Sequence, residues 1–174
     1  MSQQPEFDGN AILAVLARHN VACVVIGNYA GLLHGVDLAT EDVDITPATT
    51  GENLERLAAA LAELDAAIRV PNEPPIPLPA DSRLLAKAEI WNLTTRYGNL
   101  DLTTRPSGTN GYEDLRRNAE PQLVISGLRI DVASLQDVIR SKTAAGRAKD
   151  LAALPQLRAA LEGQEKPARG RDDS

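Results

Sequence analysis

One cysteine, Cys23, is all that this 174-residue chain contains, which excludes an internal disulfide. It sits in the apolar run Val21–Ile26, and a chain of this kind fits a reducing, cytoplasmic setting. Aromatic residues are equally scarce, with one Trp, one Phe and three Tyr. The core must therefore be aliphatic, and no aromatic stripe offers single-stranded bases a stacking platform. No apolar run approaches the ~18 residues a membrane helix needs, and no secretory leader is recognisable. Neither the Walker pattern nor the dinucleotide-binding glycine fingerprint occurs.

The length suits one domain with a real core, spanning about 8–162, between polar termini at 1–7 and 163–174 that read as disordered. Net charge is −6, unevenly placed. Residues 1–70 carry three basic and ten acidic side chains, whereas residues 71–174 carry fifteen basic and fourteen acidic ones. That division suits a site where a metal meets an anion, or simply two solvated surfaces.

The most informative stretch is VACVVIGNYAGLLHGVDLATEDVDI, residues 21–45. Val21–Ile26 reads as a strand covered on both faces, followed by a Gly27-Asn28 turn, a short helix ending at His34-Gly35, and a second strand. A strand that passes through glycine into a helix N-terminus is a general anion-binding arrangement. In the second strand successive side chains alternate, so Asp42 and Asp44 share one face, roughly 7 Å apart at Cα, and Val43 and Ile45 share the other. Paired carboxylates on an apolar strand repel each other and resist desolvation, and a divalent cation is the usual reason to keep them together. With 13 aspartates in the chain, about one such pair arises by chance, so its weight comes from its surroundings.

Those surroundings can be placed. Ile12, Leu13, Val15 and Leu16 predict an amphipathic helix capped by Asp8 and closed at His19-Asn20, which makes His19 an end-cap feature. His34 reads as a helix-end residue packing under the loop. Thr49 or Thr50 can cap a helix through 53–64, with Leu54, Leu57, Leu61 and Leu64 on one face. Ala67–Val70 reads as a short strand, and five prolines in residues 71–79 predict an extended surface loop. Ile90–Tyr97 and Asn99–Thr103 read as strands separated near Gly98, with Asp101 between Leu100 and Leu102 as a third carboxylate. Asp131, in the strand Leu128–Val132, competes for that role, and the Gly-x-x-Asp context favours Asp101. A short helix over 112–118 and a hairpin turning at Ser126-Gly127 precede a helix that Ser134 and Asp137 can open. Lys142 and Lys149 share a face if one helix persists, and Gly146 is where it can break. Lys142 suits a phosphate as a flexible point charge, and Arg147 as a planar fork.

Taken in order, the apolar strand, Gly27-Asn28, His34-Gly35, T-E-D-V-D-I, Y-G-N-L-D-L and S-K-T-A-A-G-R-A-K-D-L resemble the minimal nucleotidyltransferases of the DNA polymerase β superfamily. The likeness is to the AbiEii-like and MenT-like group, several members of which are toxins of toxin–antitoxin systems, and it covers about residues 10–160. It implies an α/β (α+β) domain, a mixed sheet flanked by helices with the nucleotide beside the glycine turn. Asp42, Asp44 and Asp101 then correspond to the catalytic, metal-binding carboxylates for Mg2+ or Mn2+. Gly27, Asn28, Lys142, Arg147, Lys149 and Asp150 correspond to the nucleotide-binding set. The resemblance implies transfer of a nucleoside monophosphate from a nucleoside triphosphate to a hydroxyl on RNA (transfer RNA included), a protein or a small molecule, and a cognate antitoxin as partner. The family turn usually reads Gly-Gly or Gly-Ser. Asn28 in its place motivates an alternative, a nucleotide-binding or partner-binding protein without turnover.

Overall fold

The apolar run at the start becomes the centre of a sheet. In this computed structural model, which describes residues 3–124 and 127–165, strand β1 (Cys23–Ile26) lies third from one edge of eight strands. Its neighbours are β2 (Asp42–Pro47), antiparallel, and β8 (Arg129–Val132), parallel. The order is completed by β3 (Ala67–Ile68), β4 (Ile76–Pro77), β5 (Ile90–Thr95), β6 (Gly98–Thr103) and β7 (Glu120–Leu123), giving β4-β3-β5-β6-β2-β1-β8-β7. The sheet is mixed, because β2 and β6 run parallel whereas β5–β6 and β7–β8 are antiparallel.

Among the described residues, seven helices surround the sheet: α1 (Gly9–Arg18), α2 (Gly27–Leu33), α3 (Gly51–Glu63), α4 (Ser82–Leu85), α5 (Tyr112–Arg116), α6 (Leu135–Ala145) and α7 (Ala148–Glu165). Their ends follow the capping chemistry of the sequence. Asp8 accepts from the Ala11 amide at 3.0 Å, Thr50 from Asn53 at 3.4 Å and Ser134 from Asp137 at 3.1 Å. Gly146 ends α6 in the left-handed conformation at φ +65°, so Lys142 and Lys149 fall on different helices.

The core is aliphatic as composition requires. Every large side chain that is essentially fully buried is Leu or Ile, among them Leu13, Leu16, Ile45, Leu93, Leu100 and Leu102. Asn53, one of several buried polar residues, fastens this core to the sheet. Its side chain accepts from the Ala22 amide at 2.7 Å and donates to the Ala22 and Ala48 carbonyls at 2.9 and 2.7 Å. A buried amide with these partners is satisfied, and it fixes the entry of β1 against the exit of β2.

Several boundaries differ from the sequence reading. Helix α2 starts at Gly27 itself, so Gly27-Asn28 is a helix start and no separate turn intervenes. The proline-rich stretch contributes β4, whose Ile76 pairs with Ile68, on the edge of the sheet where a strand tolerates proline. Helix α4 was not anticipated. Phe7 packs edge-on against Tyr29 at 6.0 Å, and α7 runs to Glu165, so both ends of the expected domain extend further. Residues 125–126, where the hairpin turn is expected to begin, and residues 1–2 and 166–174 lie outside the described residues. Among the described residues no helix is long and apolar enough to cross a membrane.

Candidate active site

The register of two strands assembles the carboxylates. Asp44 of β2 pairs directly with Asp101 of β6, and Asp42 lies two residues back on the same face of β2. Val43 and Ile45 point the other way and are fully buried, which fixes the face the acids occupy. One ligand atom from each of Asp42, Asp44 and Asp101 lies within 4.8 Å of the others. Asp131 is not among them. It pairs alongside Val24 on β8, and its charge falls instead on Cys23 and Tyr112.

Three converging acids disfavour one another's ionisation. Burial, then Asp42 and Asp101, push the Asp44 carboxyl up to about 7, against the pull of Lys142 and Lys149. Asp101 is raised as well, by burial first, although the Arg69 guanidinium opposes it. Arg69 Nη2 donates to Asp101 Oδ1 at 2.7 Å. Asp42 is steadied by Thr40, whose hydroxyl donates to its carbonyl at 2.9 Å and meets its Oδ1 at 3.2 Å.

Gly27 adjoins the acids for a steric reason. A Cβ built there would stand 2.5 Å from Asp44 Oδ2, and φ is +68°, a conformation that side chains other than glycine resist. Beside it, Asn28 donates from Nδ2 to the Ala39 carbonyl at 3.4 Å, and its Oδ1 is buried without a partner.

The basic arm closes the opposite wall. Lys142 and Asp150 are both buried, with Nζ 3.5 Å from Asp150 Oδ1. Arg147 Nε donates to Asp150 Oδ2 at 2.7 Å. Burial alone would raise Asp150, but Arg147 and Lys142 overrule it and hold the carboxyl below its usual range. Burial is also what lowers Lys142, against Asp150 and Asp44. Lys149 is exposed and forms no salt bridge among the described residues, yet its charge reaches both Asp44 and Asp101. A cleft of about 530 Å³ joins the two walls. All nine residues singled out in the sequence line it: Gly27, Asn28, Asp42, Asp44, Asp101, Lys142, Arg147, Lys149 and Asp150.

Arg69 and Asp137 were missed, whereas His34 and His19 fall at helix ends as expected. Arg69 escaped notice because it follows a two-residue strand and precedes the prolines, where no periodicity marks which way it faces. The one available signal was a lone arginine in an otherwise apolar segment. Asp137 also reaches the cleft, with Oδ2 buried and unpartnered and Oδ1 paired to Arg140 at 3.1 Å. His34 Nε2 lies 2.8 Å from the Ala133 carbonyl, which ties α2 to the entry of α6. His19 meets Glu63 at 2.8 Å at the end of α1.

This architecture is that of the nucleotidyltransferase-like folds. The solution structure of the antibiotic-resistance factor ANT(2'')-Ia superposes with a TM-score of 0.56 at 17% identity, over 88% of this chain and 82% of that one. The same factor in complex with adenylyl-2''-tobramycin gives 0.55 at 16%, over 88% and 87%. A candidate nucleotidyltransferase from Thermotoga maritima gives 0.50 at 18%, over 88% and 92%. No protein-family description and no curated protein matches the chain.

Proposed function

We propose that this protein transfers a nucleoside monophosphate from a nucleoside triphosphate to a hydroxyl acceptor, with Mg2+ or Mn2+. The observation that carries the reading is the in-register Asp44–Asp101 pair, joined by Asp42 within 4.8 Å and facing a cleft whose far wall is basic. The donor set fits the ion: three carboxylates supply only oxygen, the ligand that hard divalent cations take. A bound divalent cation supplies charge neutralisation at the α-phosphate.

The chain's own residues do the rest. Asp42, Asp44 and Asp101 hold the cation, and Gly27 keeps the space beside Asp44 free. Lys149 and Arg147 face the β and γ phosphates from the rim, while Lys142 supports them from below through Asp150. The acceptor oxygen attacks the α-phosphorus in line, the bond to the β-phosphate oxygen breaks, and pyrophosphate leaves. The hydroxyl proton passes to Asp101, the carboxylate that stands on a separate strand from the Asp42 and Asp44 pair.

The sequence motifs extend this reading to the AbiEii-like and MenT-like group, with a toxin role, a cognate antitoxin, a cytoplasmic setting and an RNA, protein or small-molecule acceptor. The neighbour solved with adenylyl-2''-tobramycin supports the small-molecule arm. Incubation with labelled nucleoside triphosphates and total cellular RNA, beside Asp42→Ala, tests the proposal. Label on an acceptor, lost in the variant, is the expected result.

Asn28 favours a second reading, nucleotide or partner binding without turnover, because its side chain occupies the helix start where a phosphate approaches. Calorimetry decides between the two. Triphosphate binding with Mg2+, with no label transferred to any acceptor, supports the second.

A further inference from the structure

Among the described residues, Arg69 is the cation that bonds directly to a member of the acid cluster. Its placement is built rather than incidental. The Arg69 amide donates to the Asn92 carbonyl at 2.9 Å, which continues the β3–β5 pairing, and Nη1 reaches the Leu93 carbonyl at 3.4 Å. Asn92 stands opposite Asp101 across β5–β6, so the same register that sets Asp101 beside Asp44 also carries Arg69 to it. Nη2 then takes Asp101 Oδ1 at 2.7 Å, and both side chains are largely covered, at 30% and 16% exposed.

The other cations make no bond to the cluster among the described residues, although the charges of Lys142 and Lys149 reach it. Lys142 and Arg147 are shared with Asp150, and Lys149 stands exposed on the basic wall. Three ionised carboxylates carry three negative charges, and Arg69 cancels one. What remains is balanced by one divalent cation. The bond also engages one of the two Asp101 oxygens, leaving fewer of its lone pairs for a ligand.

We infer that Arg69 is a built-in counter-charge that limits the acid cluster to a single divalent cation in the nucleotide-free protein. This rests on the metal-binding reading above and deepens it. A guanidinium suits the role, because it stays charged throughout the working pH range and its fork fixes one carboxylate oxygen. Removing it leaves three carboxylates for two cations to share.

Manganese titration of the full chain at pH 8 without nucleotide, followed by electron paramagnetic resonance, tests this without any activity assay. The wild type takes one Mn2+ per chain. Arg69→Gln takes a second and binds the first about tenfold more tightly, since a positive charge has gone from beside the site. Arg69→Lys keeps the wild-type stoichiometry, and Arg69→Gln combined with Asp101→Asn returns to one Mn2+. Arg69→Met gives the same reading if the glutamine variant does not fold. Unchanged stoichiometry and affinity in Arg69→Gln, or weaker binding, overturns the inference while leaving the metal site intact. A wild type that binds no Mn2+, like Asp42→Ala, overturns the metal reading itself.

Discussion

Two carboxylate sites face each other across one cleft, and they solve the problem of buried charge in opposite ways. Asp150 is buried with its cations supplied by the chain, and Lys142 and Arg147 hold it ionised. Asp44 is buried among other acids, and its carboxyl is pushed up to about 7. The first site is neutralised by the polypeptide, whereas in the second the acids outnumber the cation bonded to them. Arg69 offsets only part of their charge. The contrast is between a carboxylate neutralised by its own chain and a cluster of carboxylates that raise one another's pKa.

Breaking the acid cluster has the largest effect. Asp42→Ala is expected to reduce label transfer by at least about a thousandfold, some 4 kcal/mol in the barrier, with little change in the melting temperature. A variant that transfers at the wild-type rate places the chemistry elsewhere. On the neutralised side the effect falls on stability. Asp150→Ala leaves Lys142 buried and unpaired and is expected to cost about 3 kcal/mol, read by urea denaturation.

The pH dependence separates the two sites further. A carboxyl held near 7 in the fold but 3.8 when unfolded binds its proton more tightly in the native state, so stability falls as pH rises from about 4 to 7. Asp44→Asn removes that loss. Without metal it is expected to be more stable than the wild type at pH 8 by at most about 4 kcal/mol, and by almost nothing at pH 4. Equal melting curves at pH 8 would show that Asp44 carries no such strain. Mg2+ is expected to stabilise the wild type at pH 8 but not Asp44→Asn, since an ion that binds only the folded state raises its stability.

Gly27→Ala sharpens the comparison at a single atom. The added Cβ meets Asp44 Oδ2 in a left-handed backbone, and a cost of about 1–2 kcal/mol is expected together with weakened metal binding. Arg147→Ala is the smallest change. Its side chain is 63% exposed, so less than about 1 kcal/mol of stability is at stake, and the readout is a higher KM for the triphosphate.

Much of the acid wall was legible in the sequence, because strand alternation alone puts Asp42 and Asp44 on one face. Asp101 was legible as a carboxylate flanked by leucines. Its partnership with Asp44 needed the parallel register of β2 and β6, which joins strands more than fifty residues apart and leaves no local trace. The partner of Arg69 was hidden for the same reason, compounded by a strand of two residues beside a proline loop. The break at Gly146 was readable as glycine chemistry. That Asp150 would fold back onto Lys142 from the next helix was not. Short α4 carries only four residues and a local Asp81 cap, too little periodicity to announce itself.

The central claim is that the acid cluster serves transfer of a nucleotide. Triphosphates labelled at the α or the γ phosphate, offered in parallel with Mg2+ and cellular acceptors, test it most directly. The account predicts that α label becomes attached to an acceptor and γ label is released as pyrophosphate, both abolished by Asp42→Ala. Attachment of γ label, or α label transferred undiminished by Asp42→Ala, would contradict it.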